Sequence, residues 1–358
     1  MKPSPDLQLC FTDYCNFHCV MCLQSSHAGM YGSSSIRTPP LHAGRKGFIS
    51  EELILRLISD PILSGINFRL LKAQWLGEAL LHPDFFRLLS LLTPFFPEIL
   101  ISTNLSLLNS KKLGEFFALL EKSSHFTLLI SLDSFNRETY KKIKGIDQLE
   151  LVLSNLKELK KIRDLKKNCN LNLVLQMIVM EENQAEIRDF LVRASDFLHK
   201  PSIIYDQEAV TQTWKDKIFY KRLGAADQAK YELMHRNALI DSGLLPAEIT
   251  AWDRIITTSA APESGGKRRP CPAPFLTPTI NWDGQVTVCC MDPELELKIG
   301  NLENQSLSEI WGGTAVNQLR SAHLSGSLSL YPRCLRCQNL DLLPLPEQTI
   351  FYWKKRLG

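Results

Sequence analysis

The 358-residue chain is notable first for what it lacks. Met1–Leu9 carries one lysine, two prolines and no apolar core, so a secretory leader is not expected. No segment reaches the roughly 18 uninterrupted apolar residues that span a bilayer. No membrane association and a cytoplasmic location are therefore expected. Charge of one sign is also missing: 41 basic residues are mixed along the chain with 38 acidic ones, for a net charge of +3. Nothing resembles the basic stripe that follows a nucleic acid, and nucleic acid is not an expected partner. The basic run from Lys157 to Lys167 falls on the last turns of a helical stretch, where cations oppose the negative helix end and stay solvated. Internal repeats are not visible. What remains is 44% apolar and 22% charged, enough for one large domain and a smaller one. Ten cysteines in a reducing compartment point to metal or redox chemistry rather than to disulfides.

Short apolar runs alternate with stretches of helical period, the pattern of repeated βα units around a parallel sheet. Strands are expected at Leu7–Phe11, Phe68–Leu76, Ile99–Thr103, Phe126–Leu132, Leu171–Val179 and Ser202–Tyr205. Helices are expected at Glu51–Leu57, Pro83–Leu92, Lys111–Leu120, Gln148–Leu165 and Gln184–Phe197, with leucines three and four apart facing the sheet. The fold class is α/β, a partial (β/α)6 TIM-like barrel over residues 1–206. Past Tyr205 the rhythm stops, and residues 207–270 read as a helical insertion without a sheet element, ending in the breaker-rich linker Thr257–Pro270. A small domain over 271–340 follows, with a β-hairpin around Asn281-Trp282-Asp283-Gly284 and a serine-capped helix Ser306–Leu319. Residues 341–358 form a tail.

Cys15, Cys19 and Cys22 bring three thiols into one loop directly after the first strand. Soft thiolates bind iron–sulfur clusters or zinc, and three ligands leave one iron of a cube open to an outside chelator. The Cys-x3-Cys-x2-Cys spacing, with Met21 before the last cysteine, resembles the signature of the radical S-adenosylmethionine (SAM) superfamily. Trp75-Leu76-Gly77-Glu78 resembles its Gly-Glu motif. The resemblance implies that Gly77 and Glu78 lie at the SAM amino group, and that Ser102, Asn104, Ser131 and Asp133 contact its methionine and ribose parts. All these residues fall at C-terminal ends of expected strands, where barrels place their sites. The alternatives are a zinc site for the thiols, a helix-start carboxylate for Glu78, and helix caps for Ser131 and Asp133. His18 is expected beside the site rather than as a ligand. The Ser25–Gly47 loop, rich in Ser, Gly and His, could close over it.

Cys271 and Cys289 are separated by 17 residues, Cys289 and Cys334 by 44, and Cys334 and Cys337 by two. A hairpin arm and a Cys-x2-Cys knuckle can supply four thiolates, a closed site for a cluster or for zinc. The surrounding sequence, Ile280–Cys290 and Ile299-Gly300-Asn301-Leu302 with Ser308-Glu309-Ile310-Trp311, resembles the SPASM and twitch domains of radical SAM enzymes. The absence of cysteines after Cys337 points to the shorter, twitch-type form with one auxiliary [4Fe-4S] cluster. The Gly-x4-Cys spacing from Gly284 favours Cys289 over Cys290 as ligand, and Cys290 would then point to the other face of the strand. Cys10 and Cys169 read as inert.

The resemblance implies two [4Fe-4S] clusters, reductive cleavage of SAM to a 5′-deoxyadenosyl radical, and an electron donor such as flavodoxin or ferredoxin. The expected reaction is oxidation of a small polyol, sugar or aminocyclitol with the auxiliary cluster taking an electron. A maturase acting on a peptide and a non-catalytic zinc module are the alternatives. Asp206 and Glu208, beside the sixth strand, are candidates for acid or base.

Overall fold

A computed structural model describes residues 5–22, 46–60, 63, 67–121, 124–166, 169–205, 208–224, 228–246, 270–335, 337 and 345–357. Most of the Ser25–Gly47 loop, all but the last residue of the Thr257–Pro270 linker, and Asp206 lie outside the described residues.

One sheet of ten strands runs through the molecule, in the order β10-β9-β8-β1-β2-β3-β4-β5-β7-β6. The expected strands stand as β1 (Asp6–Leu9), β2 (Leu70–Ala73), β3 (Glu98–Thr103), β4 (His125–Ser131), β5 (Leu171–Val179) and β6 (Ser202–Ile204). The order from β8 through β1 to β6 is parallel throughout. The barrel is therefore partial and open. Its outer face is covered by α1 (Glu51–Ser59), α2 (Phe85–Leu92), α3 (Ser110–Leu120), α4 (Arg137–Lys144), α5 (Leu149–Leu165) and α6 (Ile187–Ser195). The start of α1 shows how local sequence sets each element. Ser50 Oγ accepts from Leu53 N at 3.2 Å, Glu51 and Glu52 stand in the first turn, and Leu53, Ile54 and Leu57 are buried against the sheet. Each such side chain contributes about 1.5–3 kcal/mol by leaving water.

The expectation of no sheet element after Tyr205 is corrected. Lys217–Arg222 forms β7, which inserts between β5 and β6 and pairs with β5 over Val174–Val179. Asp216 anchors its start. Its carboxylate takes two bonds from Arg163 Nη1, at 3.0 and 2.9 Å, and accepts from Leu173 N at 2.9 Å and His199 N at 2.7 Å. A buried ion pair is tolerated because these extra bonds satisfy the charges. The helix α7 (Gln228–Asp241) then packs on β7.

The C-terminal part extends the same sheet. Gln8 pairs with Thr279 and Leu9 with Ile280, so β8 (Thr279–Ile280) lies beside β1. The expected hairpin follows, with Gly284 at φ +79° and β9 (Gln285–Thr287) antiparallel to β8, then β10 (Lys298–Asn301). Its first arm is only two residues long, because Pro274 opens a turn of helix, α8 (Ala273–Leu276), just before it. The serine-capped helix divides at Gly313 into α9 (Leu307–Gly312), with a capping box between Ser306 and Glu309, and α10 (Thr314–Ser325). A turn, α11 (Pro332–Leu335), carries Cys334. The stretch expected as a tail holds α12 (Glu347–Leu357), which packs inward. Arg320, fully buried, sits 4.1 Å from the Trp353 ring and 4.5 Å from that of Trp311, and donates to Pro274 O and Trp311 O.

Inside the barrel, Leu70, Leu100, Leu129, Val174 and Phe219 form an apolar floor, one residue from each of five strands. Two residues further along each strand, and so on the same face, stand Lys72, Ser102, Ser131, Gln176 and Lys221. The interior thus changes from apolar to polar toward the C-terminal ends of the strands.

Candidate functional site

The cysteine loop is held from two sides. On one, Glu78 N donates to Tyr14 O at 2.8 Å, bringing the loop after β2 onto residues 12–14. Gly77 makes this approach possible: at φ +73°, a Cβ there would stand 2.4 Å from Thr12 O and 2.5 Å from Tyr14 O. On the other, the end of α4 docks. His18 N donates to Lys144 O at 3.1 Å and Val20 N to Ile143 O at 2.9 Å. These amides supply partners that the last carbonyls of a helix lack.

Cys15, Cys19 and Cys22 are half-buried free thiols. Burial pushes the Cys15 thiol up to about 12, with added repulsion from Glu78, Cys19 and Cys22. Burial raises Cys19 to about 11, opposed by the Lys144 charge and reinforced by Cys22 and Asp133. Thiols that disfavour one another's charge in this way suit a cationic iron core, which removes the repulsion on binding. Among the described residues, no three His, Cys, Asp or Glu side chains converge within reach of one metal ion. In a four-iron cluster each thiolate bonds its own iron, so its sulfurs stand farther apart than the ligands of one zinc.

Glu78 and Asn104 form one network with the cysteine loop. The Glu78 carboxylate, 3% exposed, accepts from Leu80 N at 3.3 Å, Thr103 Oγ1 at 2.8 Å and Asn104 N at 2.7 Å. Asn104 donates through Nδ2 to Asn16 Oδ1 at 2.9 Å and accepts from Ser106, and Asn16 in turn donates to Ser106 Oγ. Both side chains, expected at SAM, are thus engaged in fixing the ends of β2 and β3 to the loop. Asp133 is likewise fully buried, at φ +66°. It accepts from Lys144 Nζ at 2.5 Å and Ile178 N at 2.7 Å. These bonds tie the end of β4 to α4 and to the end of β5.

Ser102 and Ser131 fall in the polar interior layer, and Ser131 Oγ accepts from Gln176 Nε2 at 3.2 Å. Met21 packs with Ile143, Met180, Leu223 and Tyr231. Asp206 and the side chain of Glu208 lie outside the described residues; the backbone of Glu208 begins a 3-10 turn, Glu208–Thr211.

The second set of thiols also gathers. Burial raises Cys271 to about 12, with further repulsion from Cys337, Cys334 and Cys290. Cys289 is raised by burial and then by Cys290, Cys271 and Cys337. Cys337 N donates to Cys334 O at 3.2 Å, closing the knuckle. Cys290 differs in its surroundings. It is exposed, burial raises its thiol, and the nearby Lys72 and Lys221 charges pull it down. Both lysines stem from the polar layer of the barrel interior, and Lys72 Nζ pairs with Asp6 Oδ2 at 2.9 Å. Trp75 Nε1 donates to Cys290 O at 2.8 Å, fastening this turn to the loop after β2.

Sequence reasoning missed Lys72, Gln176, Lys221, Asn16 and Lys144. The period of two along β2 and β5 marks Lys72 and Gln176 as inward-facing, two residues past an apolar position. Lys221 has no such signal without β7.

Residues 9–193 match the model of the Radical SAM superfamily, and residues 271–338 that of SPASM, an iron–sulfur cluster-binding domain. A probable GTP 3′,8-cyclase of Thermococcus kodakarensis is 26% identical over 246 residues, covering 66% of this chain and 71% of that protein. Among solved structures, Streptococcus suis SuiB bound to precursor peptide SuiA is similar with a TM-score of 0.59 at 13% identity, over 95% of this chain and 71% of that one. Native anSMEcpe with bound AdoMet is similar with a TM-score of 0.55 at 14% identity, over 99% of this chain and 98% of that one. No helix among the described residues is long and apolar enough to cross a membrane. The chain therefore belongs to the radical SAM superfamily, as an iron–sulfur enzyme that works with S-adenosylmethionine and extends its barrel sheet into a SPASM domain.

Proposed function

We propose that this enzyme oxidises a small polyol, sugar or aminocyclitol held in the barrel mouth, with Cys15, Cys19 and Cys22 holding the SAM-binding cluster and Cys271, Cys289, Cys334 and Cys337 an auxiliary [4Fe-4S] cluster. When bound, the reduced first cluster and SAM supply a 5′-deoxyadenosyl radical that takes a hydrogen atom from the substrate. The chain's own residues orient and enclose. Ser102, Ser131 and Gln176 offer hydroxyl and amide groups to the polar parts of SAM, and the loop after β2 offers backbone groups to its amino end. The apolar floor below them excludes water from that end of the barrel.

The observation that carries the oxidation reading is the position of the Cys289–Cys290 turn. The carbonyl of Cys290 accepts from Trp75 Nε1 at 2.8 Å, so the turn that carries Cys289 is fastened to the loop after β2, which also grips residues 12–14 beside the first thiol set. A cluster held by the second thiol set would supply an acceptor for the electron that oxidation of the substrate releases. Asp206 and Glu208 are the acid–base candidates beside β6, and flavodoxin or ferredoxin is the proposed donor. Peptide modification is the second reading, favoured by the similar fold of SuiB, solved with a precursor peptide.

The test is iron and sulfide content after anaerobic reconstitution, with 5′-deoxyadenosine formation measured on the same samples. About eight irons, falling to about four in Cys15→Ala/Cys19→Ala/Cys22→Ala with loss of 5′-deoxyadenosine, are expected for one four-iron cluster per set. About four irons in wild type and none in the triple variant would remove the auxiliary cluster, and zinc in place of iron would overturn the reading. Deuterium transfer into 5′-deoxyadenosine from labelled polyols or peptides separates the two substrate classes.

A further inference from the structure

The end of α4 places a buried ammonium beside the cysteine loop. Lys144 is 1% exposed, yet its Nζ donates to Ser131 O at 2.7 Å and to Asp133 Oδ2 at 2.5 Å. Burial alone pulls a lysine down, but the Asp133 and Cys19 charges outweigh it, and Lys144 titrates above its ordinary range. It is a permanent cation. The Tyr140 ring stands 6.0 Å from Nζ and in turn meets Phe17 edge-on at 6.4 Å, so the pocket continues into the loop.

Its relation to Cys19 is fixed by backbone. The amides on either side of Cys19, those of His18 and Val20, are bound by the carbonyls of Lys144 and Ile143. Gly145, at φ +69°, lets the chain turn away there; a Cβ would stand 2.6 Å from His18 O. Helix and loop are thus in contact through main chain.

A fixed charge favours whichever redox state it attracts. Reduction adds an electron to a cluster whose thiolates are already negative, so a nearby buried cation stabilises the reduced form. We propose that Lys144 sets the reduction potential of the cluster held by Cys15, Cys19 and Cys22, holding it less negative than the loop alone would, with Asp133 as the opposing charge. This rests on the reading of those three cysteines as its ligands. Lys144 acts through Cys19 and touches no substrate.

The test is a redox titration of the full-length reconstituted protein, following the paramagnetic signal that responds to added SAM. Lys144→Met is expected to lower the reduced-to-oxidised ratio about tenfold at a given potential, a midpoint about 59 mV more negative for one electron. Lys144→Arg is expected to stay near wild type. Asp133→Asn, which removes only the counter-charge, is expected to move the midpoint the other way. A wild-type midpoint in Lys144→Met with full iron content would overturn the proposal, as would shifts of the same sign in Lys144→Met and Asp133→Asn, which would mean that the pair only packs the loop. Should Lys144→Met fail to hold iron, the sign of the Asp133→Asn shift decides. A wild-type protein that holds iron but gives no SAM-responsive signal would remove the reading of the three cysteines, and this proposal with it.

Discussion

The indole nitrogen of Trp75 and the carbonyl oxygen of Cys290 are hydrogen-bonded at 2.8 Å, across 215 positions of sequence. Trp75 stands in the loop that grips the first cysteine cluster, and Cys290 follows a thiol of the second. The bond makes the spacing between the two sets a property of the fold. Trp75→Phe keeps most of the packing and removes the donor, so unfolding free energy should fall by about 1 kcal/mol. Urea titration reads this directly, with iron content expected to stay at the wild-type level. An unchanged midpoint would mean that the contact contributes nothing to holding the turn.

Gly77 carries a sharper expectation. A methyl group there would meet two backbone oxygens at 2.4 and 2.5 Å, at a φ that side chains rarely adopt. Backbone cannot yield as a flexible side chain can, so Gly77→Ala should push the loop after β2 off residues 12–14. The expected result is loss of the first cluster with retention of the second, about four irons in place of about eight. Wild-type iron content with unchanged 5′-deoxyadenosine formation would contradict this account of the loop.

His235 makes stability depend on pH. It is fully buried on α7, its Nε2 lies 3.0 Å from Tyr220 O, and burial pulls its pKa down from 6.5 to about 4. A histidine depressed in the folded state contributes stability above its unfolded pKa, and that contribution is lost as pH falls from 6.5 toward 4. Each pH unit inside this window is worth up to about 1.4 kcal/mol. His235→Gln keeps a donor for Tyr220 O without titrating. Between pH 7.5 and 5.5 the variant should therefore lose less unfolding free energy than wild type, by about 1 kcal/mol. Parallel curves would show that His235 does not carry the effect.

The sheet was legible where strands are apolar on both faces. Leu171–Val179 reads from its own composition, and the structure gives it the same bounds. Lys217–Arg222 was not legible, because Lys-Ile-Phe-Tyr-Lys-Arg is half basic and sits in a polar stretch. Its first lysine is nonetheless buried, donating to Thr213 O and Lys215 O, a partnership that only tertiary structure provides. Helix α4 was hidden for a related reason: Tyr140 and Ile143 are the only apolar residues in Arg137–Lys144. The cysteine spacings were readable because ligand type and separation are local properties. The side-chain partners of Glu78, Asn104 and Asp133 were not, since a sequence shows a polar group but not the donors aimed at it, here Asn104 N on Glu78 and Lys144 Nζ on Asp133, with Asn104 itself donating to Asn16.

The pairing of β1 with β8 also bears on how the molecule is made. The first strand acquires its second neighbour only when Thr279 and Ile280 leave the ribosome, some 270 residues after Gln8 and Leu9. Until then one side of β1 is a bare row of amides and carbonyls, directly ahead of the three thiols of the cysteine loop. Long-range closure of this kind is slow, and an unpaired edge invites foreign strands. A nascent chain that takes up iron at the first site before the last strands arrive would do so with its barrel still open along that edge. Late closure thus leaves an interval in which β1 has one open edge while the cysteine loop that follows it has already been made.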